Sequence, residues 1–287
     1  MENHLLENVV KRQPSTAMDF FSKNLENYKI ISMCQQFDEM LGGGFPCGKL
    51  TEICGYAGIG KTQLCFQACI SVQIPECLGG INGEAIYIDT EGSFSTERLI
   101  LIARYTITHC QKISKLMKLS NEELRQVENL DELKMLKSIF YFRCTDQSQL
   151  LCLTYRLHNF CLSHPKVRLI VIDSIAFHFR YDSIDIPQRN RILTVLGQNL
   201  SNIANQFGIS VLLTNQMTTK FIEGAGYAAP ALGESWGHIC HIRIQLQNNF
   251  TNNSVSRRQA VLLKHNSQPF SSSLYQITIG GIRNVID

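Results

Sequence analysis

Five short, mainly apolar runs constrain the architecture of this chain more than any other feature: Leu50 to Cys54, Ala85 to Ile88, Ile139 to Phe142, Leu169 to Ile172 and Ile209 to Leu213. Segments of helical pattern, among them Thr96 to His109, Gln147 to Leu162 and Gln188 to Phe207, separate them. A strand with one wet face alternates apolar and polar residues, whereas a strand without a polar face is buried on both sides. The pattern therefore predicts an α/β chain whose mainly parallel sheet is flanked by helices. Ligands on such sheets bind beyond the carboxyl ends of the strands.

The last third reads differently. His241 to Gln247, Gln259 to Lys264 and Ser273 to Ile279 are shorter, alternate more and are divided by Asn, Ser and Gly, as expected of antiparallel strands added at the sheet edge. Residues 1–28 read as a polar arm or linker with one amphipathic stretch, Thr16 to Asn24, and residues 29–287 as a single core domain. The charged segment Lys112 to Lys137 reads as a solvated helix pair.

At 287 residues and 44% hydrophobic the chain can bury a substantial core, while a net charge of +3 is too mild to demand a polyanionic partner. The 11 cysteines include no C-x-x-C pair, so they read as reduced, mostly buried apolar residues. Cys65 and Cys69 would share one helix face, but they lack further ligands at metal-site spacing, and core packing is the simpler reading. No apolar run approaches the roughly 18 residues of a membrane span, and the sequons at Asn249 and Asn252 are expected to mark a polar loop.

The chemistry is announced by Gly55-Tyr56-Ala57-Gly58-Ile59-Gly60-Lys61-Thr62, a G-x-x-x-x-G-K-[ST] phosphate loop between the strand-like Lys49 to Cys54 and the helix-like Thr62 to Val72. The glycines let backbone amides close around phosphate oxygens at a helix N-terminus, and Lys61 can reach the β and γ phosphates. Thr62 is left to hold Mg²⁺, so ATP and Mg²⁺ are the expected ligands, with Gln63 completing the contact segment. A chance glycine-rich turn is the plainer alternative.

Strand ends beside this loop supply further candidates. Asp173 closes the run Leu169-Ile170-Val171-Ile172-Asp173, the form expected of a metal-serving acid; an acid capping the next helix is the other reading. Tyr87-Ile88-Asp89-Thr90-Glu91-Gly92 ends another strand, and Glu91 could polarise a water for attack on the γ phosphate, although acid plus glycine also makes ordinary turns. Leu212 to Met217 ends a third with Gln216, whose amide can bind a γ phosphate or the attacking water. The stretch Thr218 to Trp236 that follows is expected to be a long irregular loop. In Ile175 to Arg191, Phe177, Phe179 and Tyr181 alternate with His178 and Arg180, and Arg189 and Arg191 follow. Stacking on single-stranded nucleic acid and filling of the core by the aromatics both fit this pattern.

Gly55 to Thr62, Ile88 to Phe94 with Glu97-Arg98-Leu99, Leu169 to Asp173, Leu212 to Met217, and Pro230 to Gly233 with Trp236 and His238 resemble, in order and spacing, the eukaryotic RecA-type recombinases. Val72 to Cys77, Tyr141 to Cys144, Thr214 to Lys220 and Pro230 to His238 are most similar to the family's C-type paralogue branch. The resemblance implies a RecA-like ATPase core, a mediator role in homologous recombination repair of double-strand breaks, slow DNA-stimulated ATP hydrolysis, single-stranded DNA and other paralogue subunits as partners, and a nuclear location. It further implies that Lys61 and Thr62 bind phosphate and Mg²⁺, Glu91 is the general base, Arg98 lies near the adenine, Asp173 serves the metal and Gln216 senses the γ phosphate. The segments near 176–189 and 218–236 become the DNA-facing loops, with Arg180, Arg189, Arg191 and Lys220 as contacts.

The sequence departs from that family in three places. Fewer than 30 residues precede the core, so the family's small helical N-terminal domain is expected to be missing, through truncation or in a short form. Pro14 stands where filament formers carry a phenylalanine ahead of Thr16-Ala17, and Lys264 is followed by His265-Asn266 where the family has Ser-Pro. Self-polymerisation and a nucleotide shared between subunits are expected to be weakened, which makes a nucleotide-stabilised scaffold subunit the alternative to a working ATPase.

Overall fold

A computed structural model describes residues 28–180, 185–222, 225–248 and 257–285, with side chains omitted at 220–222 and 225. The expected arm lies outside the described residues except for Tyr28, as do Pro14, both sequons and Tyr181. In chain order the elements are β1 (Lys29–Ile30), α1 (Gln35–Met40), β2 (Phe45–Pro46), β3 (Leu50–Gly55), α2 (Lys61–Ser71), β4 (Glu84–Asp89), α3 (Thr96–Ser114), α4 (Asn121–Glu128), α5 (Glu132–Lys137), β5 (Ile139–Arg143), α6 (Gln147–Ser163) and β6 (Val167–Asp173). There follow α7 (Ile186–Phe207), β7 (Ser210–Ile222), β8 (Ala225–Pro230), α8 (Gly233–Ile239), β9 (Ile242–Asn248), β10 (Arg257–Lys264), β11 (Ser271–Thr278) and β12 (Gly281–Arg283).

The main sheet runs β12-β11-β10-β9-β3-β7-β6-β4-β5, and every pairing from β9 to β5 is parallel. Mainly apolar runs arise because each central strand feeds two cores. Ile53, Tyr87, Leu169, Val171 and Leu212 face α2 and α3, while Leu50, Ile86, Ile170, Ile172, Val211 and Leu213 face α6 and α7. Local signals fix the helix ends. The Ser95 side chain accepts from Arg98 N–H at the start of α3, Ser120 and Glu123 close a capping box on α4, and Gly208 ends α7 in the left-handed region. Most cysteines are buried, and Cys65 and Cys69 pack in the core against α2's apolar neighbours. No described helix is long and apolar enough to cross a membrane.

Two expectations fail. Strand β9 is parallel to β3, and only β10, β11 and β12 form the antiparallel edge. Its alternation reflects a half-exposed outer face, while its direction follows from α8, which carries the chain back across the sheet before β9 begins. Nor is Thr218 to Trp236 irregular: β7 continues to Ile222 and pairs antiparallel with β8, from Met217 opposite Pro230 to Ile222 opposite Ala225. Small residues of low strand propensity are held extended there by ladder hydrogen bonds to β7.

Candidate functional site

Between β3 and the next strand in sequence, β4, the sheet interposes β7 and β6, so the chain order reverses beside the end of β3. This is the crevice position of an open α/β sheet. Register then brings the polar strand ends together, since Gly55 pairs with Gln216, Asp89 pairs with Asp173, and Thr214 lies next to Asp173 through β6 and β7.

The phosphate loop spans the turn from β3 to α2. Gly60, the residue before α2, has φ 112°, a conformation that side-chain-bearing residues rarely adopt. Lys61 Nζ donates to the carbonyls of Gly55 at 2.8 Å and Tyr56 at 2.9 Å. Burial pulls the Lys61 pKa down, with Asp173 and Glu91 opposing. Two carboxylates thus favour the cation at the mouth of the loop.

Asp173 is the centre of the constellation. Its Oδ2 accepts from Thr62 Oγ1 and Tyr87 Oη, both at 2.7 Å, and its Oδ1 accepts from Thr214 Oγ1 at 2.5 Å. Burial raises its pKa, and the three hydroxyl donors oppose that rise. The peptide after it, Asp173-Ser174, is cis. Hydroxyl and carboxylate oxygens side by side are the hard donors that Mg²⁺ takes, and the loop amides with Lys61 suit phosphate, so the residues present fit both ligands.

Glu91 lies across the crevice. Its Oε1 accepts from Ser174 Oγ at 2.7 Å and from Gln216 Nε2 at 2.8 Å, and Gln216 Oε1 in turn accepts from Arg180 Nη1. Asp89, by contrast, is buried and organises the turn. Its carboxylate accepts from the amides of Glu91, Gly92, Ser93 and Phe94 and from Tyr141 Oη, with Arg143 3.6 Å away. Asp89 thus makes the turn at this strand end, while Glu91 faces the crevice.

Arg98 sits beside the first turn of α2, donating from Nε to Gln63 Oε1 at 2.6 Å and from its two Nη atoms to the carbonyls of Ile279 and Thr278 at 2.5 and 2.7 Å. The nucleic-acid candidates separate. Phe177–Phe179 is a single 3₁₀ turn whose Phe179 is buried in the core, and Arg180 points to Gln216. Arg189 is half-buried and Arg191 exposed at the start of α7. Lys220 belongs to β7, and its side chain lies outside the described set.

Three positioning groups escaped sequence reasoning. Tyr87 and Thr214 look like ordinary strand residues, and nothing in their types signals that they hold Asp173. Asp89 carried a signal, because an acid three residues before Gly92, with φ 79°, is a turn in which the carboxylate takes up loop amides.

The profile of the Rad51 family matches residues 24–285. A DNA repair protein RAD51 homolog 3 from Cricetulus griseus is 42% identical over 269 residues, covering 94% of this chain and 72% of that protein. Its namesake from Dictyostelium discoideum is 38% identical over 242 residues, covering 83% of this chain and 62% of its own length. The DNA repair and recombination protein RadA of Aeropyrum pernix is 28% identical over 273 residues, with coverage of 94% and 77%.

Proposed function

Since the chain belongs to the Rad51 family, we propose that it is an ATP-dependent, DNA-binding recombinase paralogue that acts in homologous recombination repair of double-strand breaks, as a mediator rather than the principal filament former. The single observation that carries this reading is the chain of contacts from Thr62 through Asp173 on one side to Glu91, Gln216 and Arg180 on the other. It joins a phosphate-loop hydroxyl, an acid for a metal, a candidate base and a candidate sensor within one crevice, and ends on a candidate DNA contact.

In this reading Gly55 to Gln63 close around the triphosphate, with Lys61 turning from backbone carbonyls to the β and γ oxygens. Thr62 and Asp173 hold Mg²⁺, which supplies neutralisation of charge on the transferring phosphoryl group. Glu91 accepts a proton from the attacking water, and Gln216 exchanges its bond to Glu91 for one to the γ phosphate or that water. Arg98, fixed against Gln63, borders the adenine end. Arg180, Arg189, Arg191 and Lys220 face single-stranded DNA, and hydrolysis is slow and DNA-stimulated. Residues 29–287 form the ATPase core, residues 1–28 act as a linker, and the protein works in the nucleus with other paralogue subunits.

A second reading, a nucleotide-stabilised scaffold with incidental turnover, is favoured by the inward-turned Lys264. Its Nζ donates to the carbonyls of Gly237, His238 and Cys240 at 2.7–3.1 Å. This segment, expected from the resemblance to reach a neighbour's nucleotide, is here engaged with its own chain.

The test is ATP binding and turnover on the isolated chain, with and without single-stranded DNA, while its mass in solution is followed. DNA-stimulated turnover abolished by Glu91→Gln supports the enzyme. ATP binding without turnover, with a Glu91→Gln protein that still assembles with and supports its partner, supports the scaffold. Undiminished ATP binding and DNA binding in Lys61→Ala would defeat both.

A further inference from the structure

The ladder between β4 and β6 ends with Asp89 opposite Asp173, but the two strands stay joined past that point by a side chain. Thr90 N–H donates to the Asp173 carbonyl at 2.9 Å, the last bond of ordinary strand form. Thr90 Oγ1 then accepts from Ser174 N–H and donates to the Ser174 carbonyl, both at 2.8 Å. Ser174 Oγ closes the circuit by donating to Glu91 Oε1 at 2.7 Å. Thr90 and Ser174 are both 0% exposed.

A hydroxyl accepts and donates at once, which is what satisfying both main-chain groups of one buried residue requires. The branch at the threonine Cβ restricts χ1 and so limits where the oxygen can sit. Valine has the same outline without the hydroxyl, and would leave the Ser174 N–H and C=O without these partners. The Ser174 end of the tie is anchored from the other side, because Ile175 N–H donates to the Thr214 carbonyl at 3.0 Å and Thr214 Oγ1 donates to Asp173. The Thr90 end carries Glu91 as its next residue. Thr90, fully enclosed, has no surface to offer a ligand; what it sets is the separation of the two strand ends.

We propose that Thr90 is a positioning residue for ATP hydrolysis, its two bonds to Ser174 fixing the distance between the base Glu91 and the Mg²⁺-serving Asp173. The proposal rests on the reading of Glu91 as the base. A base and a metal acid that act on one phosphoryl group tolerate little error, since a misplacement of about 1 Å costs on the order of 100-fold in rate. Asp173 keeps its donors Thr62, Tyr87 and Thr214 whether or not residue 90 bears a hydroxyl. A loosened tie is therefore felt in turnover and hardly in affinity for ATP and Mg²⁺.

Thr90→Val, Thr90→Ser and Glu91→Gln are compared with the unaltered chain, and Thr90→Val is also placed in the Glu91→Gln background. Single-turnover ATP hydrolysis with single-stranded DNA and the dissociation constant for ATP with Mg²⁺ are measured for each. Thr90→Val should slow hydrolysis about 10- to 100-fold while the dissociation constant stays within about threefold, and Thr90→Ser should restore most of the rate. Once Glu91 is Gln, Thr90→Val should cost nothing further, because it acts through that carboxylate. In the nucleotide-free protein the Ser174 amide proton signal should move upfield in Thr90→Val and keep its place in Thr90→Ser. If Thr90→Val does not fold, Ser174→Ala keeps both main-chain ties, deletes one donor to Glu91, and should slow hydrolysis about three- to tenfold at unchanged affinity. Hydrolysis that falls in Glu91→Gln but not in Thr90→Val overturns the proposal alone, as does a loss of ATP affinity in Thr90→Val that matches its loss of rate. An unaltered chain without turnover, or Glu91→Gln as fast as the unaltered chain, removes the base reading and this proposal falls with it.

Discussion

Replacing Arg243 by Met should strand a carboxylate inside the sheet. Glu52, on the strand that leads into the phosphate loop, is 0% exposed; Arg243 Nε reaches its Oε2 at 2.5 Å and Asn215 Nδ2 donates to its Oε1 at 2.7 Å. Methionine fills the slot of the arginine stem, so the loss is chiefly one of pairing. Removing one partner of a buried pair costs about 3–5 kcal/mol. Because Asn215 remains as a donor, the lower end, about 3 kcal/mol, is expected here. Glu52→Gln alone leaves a guanidinium with a 15% exposed side chain, for about 1–2 kcal/mol. The double variant carries no buried charge and keeps an amide oxygen for Asn215, so it too should lose only about 1–2 kcal/mol. The singles sum to about 4–5 kcal/mol, which puts the coupling near 3 kcal/mol. Equilibrium urea unfolding, with refolding verified, measures all four proteins. Additivity of the two single changes to within about 0.5 kcal/mol would refute the reasoning, since the pair would then act as independent residues.

Three further outcomes follow from the same geometry. Burial pushes the Asp38 pKa up to about 6, against hydrogen bonds from Ser32. The folded state therefore binds this proton more tightly than the unfolded chain does, and the stability it contributes is full below about pH 4 and lost as pH rises through about 6. Asp38→Asn should thus gain up to about 3 kcal/mol on the native protein between pH 4 and pH 7, read by denaturant unfolding at both; a constant difference would contradict the assignment. Tyr87→Phe keeps the ring against Phe66 and Phe94 but deletes a donor to Asp173, so stability should fall by about 1.5–3 kcal/mol and the Mg²⁺ needed for half-maximal ATP binding should rise roughly tenfold. Gly60→Ala forces a side chain into φ 112° at a strain of about 1–3 kcal/mol, and should abolish nucleotide binding while circular dichroism stays native.

The parallel core was legible because burial on both faces leaves an unmistakable apolar run, and the two cores divide each strand's residues alternately. The phosphate loop was legible because its glycines answer a backbone requirement rather than a packing one. What stayed hidden depended on pairing partners far away in sequence. Ala225 to Pro230 has little intrinsic preference for a strand and becomes one only because β7 offers its free edge. The direction of β9 is set by the crossover through α8, which alternation does not encode. In the site, side chains that meet ligands were readable from type and position at strand ends, whereas Tyr87 and Thr214, which hold Asp173 from neighbouring strands, were not. Hydroxyls in strands are too common to carry that information without the register.

The same register bears on how the proposed nucleotide and DNA functions would communicate. Strand β7 is 13 residues long and serves two sheets, pairing with β3 as far as Gln216 opposite Gly55 and with β8 from Met217 opposite Pro230. Gln216 is thus the last residue of the parallel ladder and the neighbour of the first residue of the hairpin. Its carbonyl accepts from Ala231 N–H at 2.8 Å, which pins the exit of the hairpin to the residue whose side chain bonds Glu91 and Arg180. A strand paired on both sides of that point has no hinge there, and packed elements shift as units rather than deform continuously. A displacement of the hairpin by DNA would therefore be delivered to the Gln216 amide, and a rotation of that amide toward a γ phosphate would be delivered to Arg180 and the hairpin. Uncoupling the two would require weakening the pairing around Met217 and Ala231, and removing either ligand contact alone would leave the mechanical link in place.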